Sequence, residues 1–148
     1  MRSTARILIA ASVVIWSMAL ALSATVAPDS PAQKTTNDGV YTKAQADGAK
    51  AQFEKVCAEC HAFTVAAKKK EKDLPLGDEP FTKNWDGKPL GELVSLIVLT
   101  MPNDGSAVVS ETEAVDLVAY VLQQNGFPAG STPLTKESAA DVVLRAKK

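Results

Sequence analysis

The chain has 148 residues, of which 46% are hydrophobic and 22% charged, with a net charge of −1. That is the composition of one globular domain with extensions, and it excludes a chain disordered throughout. Arg2 and Arg6 are the only charges in residues 1–28, so beyond that segment 14 basic residues face 17 acidic ones; this balance excludes the basic surface that nucleic-acid binding requires.

The N-terminus reads as a targeting segment, residues 1–27. Arg2 and Arg6 give a short positive start, and residues 7–28, ILIAASVVIWSMALALSATVAP, carry no charge. A basic start, an apolar middle and small residues near the end make an export signal, with cleavage expected after Ala24 or Ala27. The uncharged run is also long enough to serve as a retained membrane anchor, since a helix rises about 1.5 Å per residue against a hydrocarbon layer of roughly 30 Å. Mitochondrial targeting fits less well, because the segment is too apolar and too poor in arginine; in a bacterium either reading places the rest of the chain on the periplasmic side of the inner membrane. Residues 28–40, PDSPAQKTTNDGV, are turn-forming and polar, and are expected to be a flexible linker.

A first helix is expected from Thr42, which with Gln45 forms a capping box, through Ala44, Gly48, Ala51 and Phe53 to about Cys57. Residues 62–84 read as loop, with KKKEKD at 68–73 and prolines at 75 and 80. A second helix fits 89–100, where Leu90, Leu93, Val94, Ile97 and Val98 recur at helical spacing. Pro89 suits its first turn and Pro102 prevents its continuation. A third starts at the Ser110–Glu113 capping box, has Ala114, Val115, Val118, Tyr120, Val121 and Leu122 on its apolar side, and stops at Asn125-Gly126. The tail, 131–148, is expected to add at most a short helix with Val142, Val143 and Leu144 as its apolar side. No run alternates with period two, so the fold class is all-α. Three short helices over about 90 residues bury little apolar surface, which implies that something else fills the centre.

Both cysteines and the only histidine fall in one pentapeptide, Cys57-Ala58-Glu59-Cys60-His61. Four readings compete. A thiol-disulfide site belongs beside a strand–helix unit, which is missing. Structural zinc wants four ligands, and only three Cys and His exist. Chance would leave two core cysteines and an incidental histidine. Covalent attachment of one haem c, for which C-x-x-C-H is the pattern, accounts for all three residues and for the export segment. Cys57 and Cys60 would then form thioethers and His61 would ligate the iron. Beyond the N-terminal segment the one methionine is Met101. Methionine often fills an apolar gap, but an iron with one histidine has either a second ligand or an open site, and Met101 is the candidate for the second.

From Tyr41 to Gly130 the sequence resembles a class I single-haem cytochrome c, through CAECH at 57–61, FTKNW at 81–85, TMP at 100–102 and DLVAYVLQQNGFPAG at 116–130. The last two are especially similar to small cytochromes c and cytochrome domains associated with bacterial quinoprotein (pyrroloquinoline quinone) dehydrogenases. The resemblance implies a class I cytochrome c fold, with the helix of Gly48 and Phe53 crossing the C-terminal helix near Tyr120 and Gly48 allowing close approach. It implies that Leu76 and Phe81 line the haem pocket, and that Trp85 lies beside a haem propionate, the plain alternative being a core tryptophan. It implies a backbone carbonyl, of Leu74 or Pro75, accepting the His61 N–H. Ala62 departs from the family, in which glycine is common at that place, as does the lysine run 68–72, either a solvated turn or a docking patch for an acidic partner.

With His61 and Met101 both bound, the iron would have no open position and would exchange one electron, at a potential raised by the Met/His pair. The expectation is a non-enzymatic electron carrier, with redox partner proteins such as a periplasmic dehydrogenase, a terminal oxidase or another cytochrome. Such encounters use small interfaces. The alternative is a haem enzyme or gas sensor with an open sixth site.

Overall fold

The computed structural model describes residues 32–69 and 74–147; the expected export segment lies outside them. Thr42 opens the first helix by accepting the Gln45 N–H at 3.2 Å, which satisfies a donor that has no partner within the helix. The expected capping box is only half made. The Gln45 side chain instead reaches Asp116 Oδ1 and the backbone carbonyl and N–H of Leu134, each at 2.8 Å. This helix, α1 (Lys43–Val56), buries Ala46, Ala49 and Phe53 at spacings of three and four, the face of a helix lying on a core.

Residues 62–84, expected to be loop, contain a helix, α2 (Asp78–Trp85), with Phe81 buried. Pro80 does not prevent it, because the first turn of a helix has no intrahelical acceptor for its N–H groups. The next helix, α3 (Leu90–Thr100), follows its expected span and buries Leu90, Leu93 and Val94. Val98, expected on the same face, is exposed. The central helix, α4 (Glu111–Gln124), has the complete capping box read from its sequence: Ser110 Oγ accepts the Glu113 N–H and Glu113 accepts the Ser110 N–H. It buries Ala114, Val115 and every residue from Leu117 to Leu122, because α1, α3 and α5 (Lys136–Asp141) all lie against it. Asn125 and Gly126 end it, with Gly126 at φ 72.

Among the described residues there is no strand, only three isolated bridges, so the all-α architecture holds. Those bridges correct the reading of both ends of the chain. Residues 34–38 are no free linker. Thr35 caps a 3-10 turn, Thr36–Asp38, and Thr36 is fully buried, its hydroxyl donating to the Arg145 carbonyl at 3.1 Å. The tail does hold a short helix, α5, but Val142, Val143 and Leu144 follow it instead of forming its side. Their backbone is bonded to Lys34 and Thr36 on one side and to Gly87, Lys88 and Leu90 on the other. All three side chains are buried.

Candidate functional site

The pentapeptide 57–61 begins where α1 ends. The N–H groups of Cys57 and Ala58 both bond the Phe53 carbonyl, at 2.8 and 3.0 Å, and those of Cys60 and His61 both bond the Cys57 carbonyl, at 3.1 and 2.9 Å. The last helical turn is therefore prolonged by one tight turn, which carries Cys57, Cys60 and His61 on a single short frame. Both thiols are free; Cys57 is half-buried and Cys60 exposed. Burial pushes the Cys57 thiol up to about 11. A thiol-disulfide site needs the opposite shift, a stabilised thiolate, so this environment argues against that reading. Among the described residues no group of three or more His, Cys, Asp or Glu side chains is gathered as a metal cage.

His61 is held through its ring. Nδ1 lies 3.0 Å from the Leu74 carbonyl oxygen, so Nδ1 carries the proton and Nε2 keeps the lone pair that a metal would need. Of the two carbonyls expected to do this, Leu74 does it and Pro75 does not. The segment that presents Leu74 is tied down immediately beyond. The Leu76 N–H donates to Ala62 O, and Leu76 O accepts from Asn125 Nδ2, both at 2.7 Å. Gly77 is pressed against the Phe63 carbonyl, where any Cβ would collide. Phe63 itself joins Phe53 and Tyr120 in a ring cluster, with centroids 4.9, 5.2 and 5.8 Å apart. This cluster ties the loop after His61 to the α1–α4 crossing.

Gly48 does not make that crossing. A Cβ added there meets nothing within 4 Å. The small residues on the buried face are Ala46 and Ala49, the latter one turn before Phe53. The other expected pocket residues are placed as follows. Leu76 is half-buried against the core. Phe81 is 3% exposed, a member of the buried core on α2. Trp85 is half-buried at the end of α2, packs on the core, and has Lys88 Nζ 5.1 Å from its ring centroid, a cation–π pair. In the lysine run, Lys69 lies 3.4 Å from Glu59, and residues 70–73 lie outside the described residues.

Met101 caps α3, with its N–H on the Ile97 carbonyl at 3.0 Å. It lines a hollow of about 420 Å³ together with Val98, Leu99, Pro102, Val108 and Val109. His61 is not part of that hollow, so the two expected axial ligands stand on separate segments, 57–61 and 98–109. Large apolar side chains lie uncovered beside them: Leu99 is 79% exposed and Val108 94% on the Met101 segment, and Leu74, whose carbonyl meets His61, is 67% exposed. A flat apolar group with two points of covalent attachment fits this donor set and would cover apolar surface of this kind. Asn125 is the part of the arrangement that the sequence did not announce: it reads there as a helix stop, while its side-chain amide reaches Leu76 on a distant loop.

The family described as cytochrome c oxidase, cbb3-type, subunit III matches residues 44–121, more than half of the chain. No curated protein and no solved structure matches it. The match spans α1, the pentapeptide, α2, α3 and most of α4, the elements that position His61 and Met101. It makes this a cytochrome c domain, whose cofactor is covalently bound haem c and whose chemistry is haem-based electron transfer. The chain thus belongs to the c-type cytochromes, in the family of cbb3-type cytochrome c oxidase subunit III.

Proposed function

We propose that this chain carries one electron on a single haem c bound through Cys57 and Cys60, with His61 and Met101 as axial ligands. We place it in the periplasm after export, passing electrons from a dehydrogenase to an oxidase or another cytochrome; the name of the matched family favours an oxidase as acceptor. The observation that carries the reading is the His61–Leu74 bond. It fixes the tautomer and leaves Nε2 unprotonated, as a metal-ligating histidine requires. The two cysteines of the sequence allow one such attachment. The haem supplies the one-electron Fe(III)/Fe(II) couple. The protein supplies the ligands, the apolar surroundings that raise the potential, and the fixed loops that keep reorganisation small.

Met101 is the residue that separates a carrier from a ligand-binding protein. The intact mass of the mature protein reports both the covalent haem and any cleavage of the N-terminal segment. The oxidised spectrum is expected to show the long-wavelength charge-transfer band of a thioether bound to ferric haem, and the reduced protein is expected to resist carbon monoxide. Met101→Ala should abolish the band and admit carbon monoxide. A haem-bearing wild type that lacks the band and binds carbon monoxide readily would instead establish a sensor or enzyme with an open sixth position.

A further inference from the structure

We infer that Asn125, outside the stretch matched by the family, is a positioning residue for the axial histidine, and so sets the haem potential from the far end of α4. The inference rests on His61 being an iron ligand, as proposed above. Asn125 Nδ2 stands 2.7 Å from the Leu76 carbonyl and 2.8 Å from the Val121 carbonyl. Both neighbours are acceptors, so the orientation of the amide is settled: its NH2 group donates to both. Leu76 is two residues beyond Leu74, whose carbonyl holds His61 Nδ1 at 3.0 Å. At the same place the Leu76 N–H is taken by Ala62 O, and the next residue, Gly77, is wedged against the Phe63 carbonyl. The loop is thus gripped at Ala62, Phe63 and Asn125, and Asn125 is the grip that reaches the stretch beside Leu74 by a hydrogen bond from the end of α4. The ends joined are 49 positions apart in sequence, so α4 and the histidine loop cannot separate while the bond persists.

The consequence for His61 follows from the chemistry of its ring. A firm Nδ1–H···O=C bond makes the imidazole a stronger donor at Nε2, which favours Fe(III). Releasing Leu76 loosens the Leu74 carbonyl, weakens that bond and favours Fe(II). Asn125→Asp is the sharpest variant. It keeps the shape but replaces the donor with an oxygen that faces two carbonyls. Asn125→Ala removes the donor without that repulsion. Gln45→Ala serves as the comparison, because it deletes bonds of similar length, from α1 to α4 and to Leu134, away from the histidine loop.

The experiment uses the full-length haem-bearing protein and reads the reduction potential and, in the reduced state, the exchange rate of the His61 Nδ1–H with solvent. Both Asn125 variants are expected to raise the potential, moving the oxidised-to-reduced ratio at fixed ambient potential severalfold toward Fe(II), and to speed exchange of the ring proton. Gln45→Ala should lower stability yet leave both readings at the wild-type value. Unchanged readings in the Asn125 variants, or equal shifts in Gln45→Ala, overturn the inference while leaving the haem assignment intact. A wild type without covalent haem overturns the assignment and the inference together. Should neither variant accumulate as folded protein, the wild type decides. The Asn125 side-chain N–H and His61 Nδ1–H signals must lose protection at the same denaturant concentration. Loss of the His61 signal while Asn125 stays protected refutes the coupling.

Discussion

At Gly48 a substitution should improve the protein. It sits inside α1 with ordinary helical backbone and open space where a Cβ would be, so Gly48→Ala should stabilise by about 0.5–1 kcal/mol, read as a higher denaturant midpoint at unchanged slope. A loss of stability would restore Gly48 to the helix crossing. The register was available in the sequence: with Phe53 on the core, the small residues of the same face lie one and two turns earlier, at Ala49 and Ala46. A glycine is conspicuous and an alanine is not, which is how the wrong neighbour was favoured. Tyr41 makes the opposite case. It is 1% exposed, and its hydroxyl donates to the Phe127 carbonyl at 2.7 Å. Tyr41→Phe strands that carbonyl and should cost about 1–3 kcal/mol at neutral pH. Burial also raises the phenol above its ordinary 10.0, so the folded protein keeps a proton that the unfolded chain releases. This contribution is complete below pH 10 and declines as pH rises through the folded value. In alkaline unfolding titrations, stability should therefore fall less steeply above pH 10 in Tyr41→Phe than in the wild type.

Among the elements, α4 is the one whose start, stop and apolar side all read correctly from sequence, because a complete capping box, a dense apolar run and an Asn-Gly stop agree with one another. Ser110→Ala should cost about 1 kcal/mol, measured by thermal or denaturant unfolding. It should also change the acid limb. The Ser110 side-chain and backbone hydrogen bonds hold the Glu113 carboxyl below its ordinary 4.5. The stability tied to that carboxylate is present above pH 4.5 and is lost as pH falls through the folded value. Ser110→Ala should flatten this loss, and an unchanged acid limb would show that the box does not persist in solution. Two other elements were less legible. Pro75 and Pro80 bracket the start of α2 and mask an eight-residue helix, although Pro80 occupies a first turn that tolerates it. Gln45 sits where a capping-box partner belongs, yet tertiary bonds to Asp116 and Leu134 take its side chain. In both places a local pattern was outweighed by what packs against it.

At the scale of the molecule, the decisive feature is that the two ends of the described chain complete the fold. The pentapeptide and Met101 stand out by residue type, because the thioether and axial bonds proposed for them need particular atoms. The clamp formed by residues 34–36, 87–90 and 142–145 could not, since it is made of backbone bonds and small aliphatic side chains whose partners lie up to 109 positions away. Leu144 lies at its centre. Its side chain is fully buried, its N–H donates to Lys88 O at 2.9 Å, and its carbonyl accepts from Gly87 at 2.8 Å. Leu144→Ala should cost about 2–5 kcal/mol, a large share of the roughly 5–15 kcal/mol that holds a domain of this size. Deleting residues 131–148 removes Leu134, Val142, Val143 and Leu144 together. At about 1.5–3 kcal/mol for each buried side chain, that loss rivals the whole stability, so the truncated chain should not hold a cooperative fold even though the matched stretch 44–121 is intact. Hydrogen exchange of the full-length protein tests the same point without a mutation. The N–H groups of Thr36, Gly87, Leu90, Val143 and Leu144 should exchange together, at the rate of global unfolding. Early exchange of Val143 and Leu144, with α1 and α4 still protected, would show that the tail is a detachable extension, and a truncated protein that unfolds cooperatively would lead to the same conclusion.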